Sequence, residues 1–414
     1  MSDQQPLHFV GLDIGTSKVR CIIGTVDENS PDPHINIVGH GTSENSGMRK
    51  GLVTHLDEVA NAVEQAVIEA ERMSGIRVGH ATVNVNGSHV SSLNSKGVVA
   101  ISANDRTISV SDRLRAEEAA TIVQIPQNRE ILQVFPKNYR VEGQDTIKDP
   151  VGMKGILLEV DVHIVTAATP NIKSLGALFE RVNIRPAHYT VSGLAAAEAV
   201  LNRNQREAGS LVVDIGAGTI NLAVIEDGEV QDISVIPMGG NNITNDLAIG
   251  LKTDLEIAEK VKIDYARIGD KVKAGEVKID HDGTSYTFDS EEVSMIVEAR
   301  VEEMFEYIEK ELKRIEKSKK LPGGVVLVGG SVKIPGIAGF AKQYLGLSCK
   351  VGKLNDTRGI IDGIQDIEYI TAIGLMNLDM LFGSQSSVSY NSSRSFMPID
   401  LFDYINNLFK KIKK

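Results

Sequence analysis

The chain has 414 residues, of which 42% are hydrophobic and 24% are charged, a composition typical of a folded protein with two or three core-forming units. No stretch approaches the roughly 20 apolar residues that a membrane-spanning helix needs, which excludes an integral membrane protein. The formal net charge of −11 disfavours nucleic acid as a partner. Cys21 and Cys349 are too few for a disulfide framework or a zinc site, and no secretory signal is visible, so the sequence predicts a cytoplasmic protein.

The chain opens with a pattern of apolar strand, glycine-containing turn and apolar strand. The strands are predicted at 8–10 and 19–24, on either side of Gly11-Leu-Asp-Ile-Gly-Thr-Ser-Lys18. The same pattern returns at 210–226, around Asp214-Ile-Gly-Ala-Gly-Thr219. Asp13 and Asp214 lie 201 residues apart, which indicates an internal duplication with one hairpin opening each half.

Further elements follow from apolar spacing. The spacing predicts a helix at 56–73 and, within 81–168, an α+β subdomain with strands at 81–85, 97–101 and 160–166 and a polar helix at 111–123. Later in the chain it predicts helices at 255–268 and 291–315, a solvated helix face over the charged run 302–320, and a glycine turn, Gly329-Gly330-Ser331, after a buried strand at 325–328.

The two hairpins have the composition of phosphate-binding turns, because glycine-rich turns expose backbone N–H groups and Thr or Ser adds a hydroxyl. Asp13 and Asp214 would hold a hydrated Mg²⁺ that bridges the phosphates. The residues expected at phosphate oxygens are Gly15, Thr16, Ser17, Lys18, Gly216, Gly218 and Thr219. One such hairpin is weak evidence, whereas two copies followed in order by Gly329-Gly330 are much stronger. No Walker phosphate loop and no pattern of nucleophilic catalysis is present.

The end of the chain changes composition. A Ser-rich linker is expected at 383–397, followed by an amphipathic helix at 398–414. The helix places Leu401, Phe402, Ile405, Leu408, Phe409 and Ile412 on one stripe, and it ends in Lys410, Lys411, Lys413 and Lys414. This combination favours an interfacial anchor on anionic lipid, with docking in a partner's groove as the alternative.

These motifs resemble those of the superfamily of actin, the heat-shock chaperones and the sugar kinases. Within it, the chain resembles the FtsA family of bacterial cell-division proteins almost from end to end. The more specific marks are Gly47-Met-Arg-Lys-Gly-Leu-Val53, Asp149-Pro-Val-Gly152 and Asp161-Val-His163. The last two belong to a subdomain that FtsA-like proteins carry in place of one actin subdomain.

The resemblance implies a ribonuclease H-like duplicated α/β fold with that inserted α+β subdomain. The implied divisions are 1–84, 166–194 and 358–382 for the first lobe, 85–165 for the insertion, 195–242 and 311–357 for the second lobe, and 243–310 for its outer subdomain. It further implies that Gly329, Gly330 and Ser331 face an adenosine, with Glu259 and Lys262 near its ribose and base. Ala217 replaces a more usual glycine, which requires that residue 217 keep a negative φ.

The function that the resemblance implies is an ATP- and Mg²⁺-binding, filament-forming protein. It would tether FtsZ, through the C-terminal peptide of FtsZ, to the cytoplasmic face of the cell membrane at the division site, and would recruit other division proteins. Sequence identifies no group that would position water for hydrolysis, so we expect slow or absent ATP turnover. Two alternatives stay open: a pilus-type scaffold that binds a peptide of a membrane partner, and a small-molecule kinase of the same fold.

Overall fold

The computed structural model describes residues 7–26, 35–269, 275–355, 358–359 and 366–383. The expected linker and tail therefore lie outside the described residues, except for Gly383, which is the last residue of a helix. No helix in the described ranges is both long and apolar enough to cross a bilayer.

The described elements alternate strands and helices in two similar series. The strands are β1 (His8–Ile14), β2 (Lys18–Val26), β3 (Ile35–Glu44), β4 (Met48–Arg49), β5 (Leu52–Val53), β6 (His80–Val85), β7 (Ser91–Ala100), β8 (Arg129–Val141), β9 (Gln144–Ile147), β10 (Leu157–Ala168), β11 (Arg185–Val191), β12 (Ser210–Ile215), β13 (Ile220–Glu226), β14 (Glu229–Ile236), β15 (Glu276–His281), β16 (Thr284–Asp289), β17 (Gly324–Val328), β18 (Cys349–Val351) and β19 (Arg358–Gly359). The α-helices are α1 (Leu56–Ser74), α2 (Val110–Ala120), α3 (Thr169–Val182), α4 (Ser192–Val200), α5 (Arg203–Ala208), α6 (Gly240–Gly250), α7 (Leu255–Tyr265), α8 (Ser290–Arg314), α9 (Ile337–Leu345) and α10 (Ile370–Gly383).

Two sheets share one topology. The first has the order β11-β6-β1-β2-β3-β19 and the second the order β14-β13-β12-β17-β18. In each, three antiparallel strands are followed along the chain by two strands that pair in parallel beside the first, β6 and β11 or β17 and β18. The duplication predicted from the two hairpins is therefore present in the fold.

The central strands are buried because helices cover both faces of the first sheet. Val10 and Leu12 pack with the buried side of α1, whereas Phe9, on the opposite face, packs with Ile373 and Met376 of α10. Helix α10 also crosses α4 so closely that a Cβ on Gly374 would lie 1.8 Å from the carbonyl oxygen of Ala195. These two helices hold the lobes together beneath the hairpins.

A separate four-stranded sheet, β7-β10-β8-β9, packs with α2 around its own core, which includes Tyr139 and Leu158. It is fixed to strand β14 of the second sheet. Ser92 Oγ donates to the carbonyl oxygen of Ile233 at 2.8 Å, and the Ile233 N–H donates to His163 Nε2 at 3.1 Å. The predicted α+β subdomain is present, but it begins after residue 85, because the strand predicted at 81–85 is β6 of the first sheet. The subdomain contacts the second lobe through β14.

The outer part of the second lobe is formed by α6, α7, α8 and the hairpin β15–β16. The predicted helix at 291–315 is confirmed as α8, whose apolar stripe includes Val297, Phe305 and Leu312. The prediction of a helix at 255–268 is too long, because α7 ends at Tyr265. Beyond it, the N–H of Ile268 donates to the Pro335 carbonyl at 2.9 Å, which draws the chain toward the second sheet.

Candidate functional site

The two hairpins enclose one cavity of about 460 Å³ between the lobes. Nearly every residue predicted from sequence to bind nucleotide lines it: Asp13, Gly15, Thr16, Ser17, Lys18, Asp214, Gly216, Thr219, Glu259, Lys262, Gly329, Gly330 and Ser331. The exception is Gly218, which lines a second cavity of about 680 Å³ next to the first. The sequence motifs therefore converge on one place in the fold.

The hairpins have the same backbone geometry. Asp13 pairs with Arg20, and Asp214 pairs with Asn221, at equivalent positions of the two ladders. Each turn closes with an N–H to carbonyl bond, from Gly15 to Lys18 at 3.0 Å and from Gly216 to Thr219 at 2.9 Å. The turns are only three or four residues long, so the first hairpin's strands extend further into the motif than the predicted strand ends at 10 and 19.

Asp13 is buried and held by Asn84. The Asn84 amide nitrogen donates to Asp13 Oδ1 at 2.7 Å and to Ser192 Oγ at 3.1 Å, while its oxygen accepts from the Ile14 N–H. Burial raises the pKa of Asp13 to about 6, although the charge of Arg20 opposes this rise. The positive charge near Asp13 is therefore too small to offset the cost of burying its ionised carboxylate.

Asp214 is the counterpart in the second lobe. Burial, reinforced by the charge of Asp13, raises its pKa to about 7. Asn221 donates to Asp214 Oδ2 at 3.2 Å. Gly329, with a φ of 91°, approaches so closely that a Cβ there would lie 2.5 Å from Asp214 Oδ1, so no larger residue fits beside this carboxylate.

The second-lobe side of the cavity is built from α6, α7 and the glycine turn. Lys262 Nζ, on α7, donates to Glu259 at 2.6 Å and to Thr244 Oγ1 at 2.9 Å. Ser331 Oγ donates to the Gly216 carbonyl at 3.1 Å, which ties the glycine turn to the hairpin. Ala217 does not have a positive φ, so an alanine fits this position of the turn without strain.

The structure adds residues to this site that sequence reasoning missed. Asn84, Asn86, Ser192, Asn221 and Thr371 all line or support the cavity. They come from strand ends and from the starts of α4 and α10, outside the two phosphate motifs and the glycine turn. Of these residues, only Asn221 could have been identified from the sequence. It follows Asp214 by the same number of residues as Arg20 follows Asp13.

A charged group closes the first-lobe side. Arg20 donates to Glu368, and its guanidinium lies 5.6 Å from the ring centre of Tyr369. Lys333 donates to the other oxygen of Glu368 at 2.6 Å. Lys333 and Arg20 hold the pKa of Glu368 below its ordinary range despite partial burial, so this carboxylate is ionised. Lys333 also pairs with Asp366 at 2.6 Å, so the two cations face two carboxylates.

The arrangement is suited chemically to a cation together with an anionic ligand. Two buried carboxylates with raised pKa values lie close enough for the charge of one to affect the other. Among the described residues, no donor reaches the buried Asn221 Oδ1, so this acceptor is left for a ligand or a water. A hydrated divalent cation supplies both positive charge and O–H donors.

The fold and the site define an actin-like protein: two lobes of one topology, each presenting an Asp-containing hairpin to a shared cavity. A profile for the SHS2 domain inserted in FtsA matches residues 87–166, the separate α+β sheet, and a profile for cell division protein FtsA matches residues 211–374. The cell division protein FtsA of Pseudomonas aeruginosa is 32% identical over 96% of this chain and 97% of its own length. The chain belongs to the FtsA family of cell-division proteins.

Solved structures agree on the fold. The chain is similar to a chain of the PilM–PilN type IV pilus biogenesis complex, with a TM-score of 0.65 at 16% identity, covering 91% of this chain and 99% of that one. It is also similar to MreB5 of Spiroplasma citri bound to ADP, with a TM-score of 0.57 at 12% identity, covering 92% and 99%. At these identities the similarity establishes the actin-like fold alone.

Proposed function

We propose that the chain is an ATP-dependent, polymerising adaptor that tethers FtsZ filaments to the cytoplasmic face of the cell membrane at the division site. The observation that carries the proposal is the convergence of both Asp-containing hairpins and the glycine turn on one cavity. Membership of the FtsA family gives the setting, cell division. The nucleotide, the membrane and FtsZ each make a separate, testable part of the proposal.

In the nucleotide part, Asp13 and Asp214 hold Mg²⁺ through water, and the two turns bind the phosphates of ATP. The adenosine lies between the glycine turn at Gly329 and the Lys262 side of α7. The bound cation would neutralise the two carboxylates whose ionisation burial disfavours. MreB5, whose fold this chain shares, was solved with ADP bound, which supports nucleotide as the ligand class.

Calorimetric titration of ATP into the full chain tests this part. Binding should require Mg²⁺ and should be lost in EDTA. Asp214→Asn should weaken binding strongly, and Asp282→Asn is its matched control, since it makes the same chemical change at an exposed turn residue. Binding of ATP with equal affinity with and without Mg²⁺ would contradict the assignment of Asp13 and Asp214.

We further propose that nucleotide controls assembly of the chain into filaments rather than driving rapid hydrolysis. Of the carboxylates that line the cavity, Asp13 and Asp214 are assigned to the cation. Glu259 and Glu368 are each paired with a cationic side chain, so none is left to act as a general base toward water. Electron microscopy on an anionic lipid monolayer should show filaments with Mg-ATP and none without nucleotide. A steady-state turnover typical of ordinary enzymes, and absent in Asp214→Ala, would overturn this part.

The membrane part rests on the tail, 398–414. Its apolar stripe would enter the acyl boundary while its lysines meet anionic headgroups. A single short helix binds marginally, so filaments would add affinity by presenting many tails at once. Ile405→Glu, at the centre of the stripe, should abolish sedimentation with phosphatidylglycerol vesicles. Asn407→Glu adds the same charge on the opposite face and should retain most binding; equal loss in both would argue against the stripe.

The FtsZ part places the C-terminal peptide of FtsZ on the outer subdomain, 243–310. This subdomain exposes several large apolar side chains, among them Ile249, Leu255 and Met295 at 76%, 57% and 67% exposure. A synthetic FtsZ C-terminal peptide should bind the full chain, and Met295→Lys should weaken binding. Val98→Lys, on the inserted subdomain, is the control; weakening by the control alone would move the contact elsewhere.

A further inference from the structure

The loop after β6 crosses from the first lobe to the second at the edge of the cavity. Its residue Asn86 donates from Nδ2 to Thr219 Oγ1 at 2.9 Å. The orientation of the amide is fixed, because Asn86 Oδ1 accepts from the Gly87 N–H at 2.7 Å and a flipped amide would set two donors against each other. Asn86 therefore presents a donor, and only a donor, to Thr219.

This contact determines what the Thr219 hydroxyl can do. A hydroxyl has one proton to donate, and here its oxygen already accepts from Asn86. Thr219 is 2% exposed but lines the cavity, and in the described part of the chain no acceptor contacts its proton. The proton is consequently directed away from Asn86 and available to an acceptor in the cavity.

The first hairpin has a similar contact at a different position of its turn, with a different donor. Thr16 Oγ1 accepts from the Gly51 N–H at 3.2 Å, at the tip of the β4–β5 hairpin. Gly51 in turn packs on Gly87, where a Cβ on residue 51 would lie 2.7 Å from the Gly87 Cα. Two touching loops thus each donate one hydrogen bond to a threonine hydroxyl of the paired turns.

We propose that Asn86 is a positioning residue that fixes the Thr219 hydroxyl as a hydrogen-bond donor to a phosphate of the bound nucleotide. The inference rests on the proposed nucleotide site and adds to it a residue outside both phosphate motifs. Because Asn86 acts through a phosphate contact, its removal weakens ligands that carry phosphates and leaves adenosine unaffected. The loop that carries it also leads into the inserted subdomain, whose first strand is β7.

A double-mutant cycle on the full chain tests the proposal. In calorimetry, Asn86→Ala should weaken Mg-ATP binding about tenfold in the wild-type background and less than about twofold in a Thr219→Val background. Adenosine binding and the midpoint of thermal unfolding should be the same for Asn86→Ala and the wild type. Asn104→Ala, at an exposed asparagine of the inserted subdomain, is the matched control and should change neither affinity.

A second variant guards against a folding defect. Asn86→Ser keeps an oxygen near the Gly87 N–H but cannot reach Thr219 as a donor, so it should show the same loss for Mg-ATP. An equal loss for ATP and adenosine, or a loss as large in the Thr219→Val background as in the wild type, would overturn the inference while leaving the proposed function standing. Failure of the wild type to bind Mg-ATP at all would overturn the proposed function itself.

Discussion

The two hairpins are alike in backbone and unlike in side chains. In both, an aspartate is the penultimate residue of the first strand and a turn of three or four residues follows. Opposite that aspartate, the first hairpin has Arg20 and the second has Asn221. One copy of the duplicated element therefore carries a full positive charge where the other carries a neutral amide.

The difference shows that two hairpins with the same backbone provide different charges at the cavity. Arg20 lowers the pKa of both aspartates, but its own charge is shared with Glu368. Asn221 brings no charge and leaves its buried oxygen without a donor among the described residues. The first lobe therefore contributes the positive charge of Arg20. The second lobe contributes Asp214, the carboxylate with the higher pKa, and Asn221 Oδ1, an acceptor without a donor among the described residues.

The largest expected effect comes from neutralising the less compensated aspartate. Asp214→Asn should weaken Mg-ATP binding by about a hundredfold or more, because a water-mediated cation contact is lost. The same change should stabilise the ligand-free protein by about 1 to 3 kcal/mol at pH 8, since the ionised carboxylate is costly where burial has raised its pKa to about 7. Calorimetric binding and urea unfolding measure the two effects.

Asp13→Asn makes the comparison between the lobes quantitative. Burial raises the pKa of Asp13 only to about 6, and Arg20 lies opposite it, so its neutralisation should stabilise the ligand-free protein less. A greater stabilisation from Asp13→Asn than from Asp214→Asn would refute the division of roles.

The third strands of the two sheets, β3 and β14, also differ. Strand β3 packs on α1, whereas β14 contacts the inserted subdomain. Burial raises the pKa of Glu229, on β14, to about 7, against the opposing charge of Lys148, whose Nζ lies 3.8 Å away. The folded state thus holds this proton more tightly than the unfolded state. Its contribution to stability is present below about pH 4.5 and is lost as pH rises toward 7.

Glu229→Gln removes this titration. Relative to the wild type, the variant should therefore gain about 2 kcal/mol in unfolding free energy between pH 5 and pH 8. Denaturant unfolding at several pH values measures the gain. Glu276→Gln, which makes the same change at an exposed residue of the hairpin β15–β16, is the control and should change the unfolding free energy much less; a flat profile for Glu229→Gln would refute the role of its burial.

A smaller effect is expected from Arg20→Gln, which makes the first hairpin resemble the second. The variant loses the half-buried pair with Glu368 and the contact with the Tyr369 ring, so it should lose about 1 to 2 kcal/mol of stability. Lys333 remains on Glu368 and limits the loss. A cycle with Glu368→Gln isolates the pair; a coupling energy near zero would show that the position tolerates an amide as the second lobe does.

Sequence predicted the parts of the site that repeat and missed the parts that do not. The hairpins could be identified because an aspartate and a glycine recur 201 residues apart, as Asp13 with Asp214 and Gly15 with Gly216, and a threonine follows in each turn. Asn84 and Asn86 have no such repeat. The parallel pairing of β6 with β1 brings Asn84 beside Asp13, and the contact between the two lobes brings Asn86 beside Thr219. Contacts between distant strands are set by the sheet, and local patterns do not encode them.

The inserted sheet shows the same limit in its strands. Strand β8 was not predicted, because Pro136 lies within a stretch of mixed polar and apolar residues. Proline argues against a strand that pairs with a neighbouring strand on each side. In the structure β8 pairs with both β10 and β9, and Pro136 sits at an irregularity in the β8–β10 ladder, between Asp161 and Val162. A bulge accommodates the residue that lacks an N–H, which local propensity could not reveal.

The smallest effect on stability should come from the neutral counterpart of Arg20. Asn221→Leu removes one hydrogen bond to Asp214, of 3.2 Å, and with it an acceptor that is buried without a donor. These two changes oppose each other, so the unfolding free energy should change by less than about 1 kcal/mol. If the open oxygen receives a water of the bound cation, Mg-ATP affinity should still fall severalfold, and the fall should shrink when binding is measured without Mg²⁺. The comparison between the hairpins would be contradicted if Asn221→Leu strongly destabilised the ligand-free protein and left the affinity for Mg-ATP unchanged. Asn221 would then stabilise the fold, as Arg20 does, and its side-chain oxygen would not contribute to ligand binding.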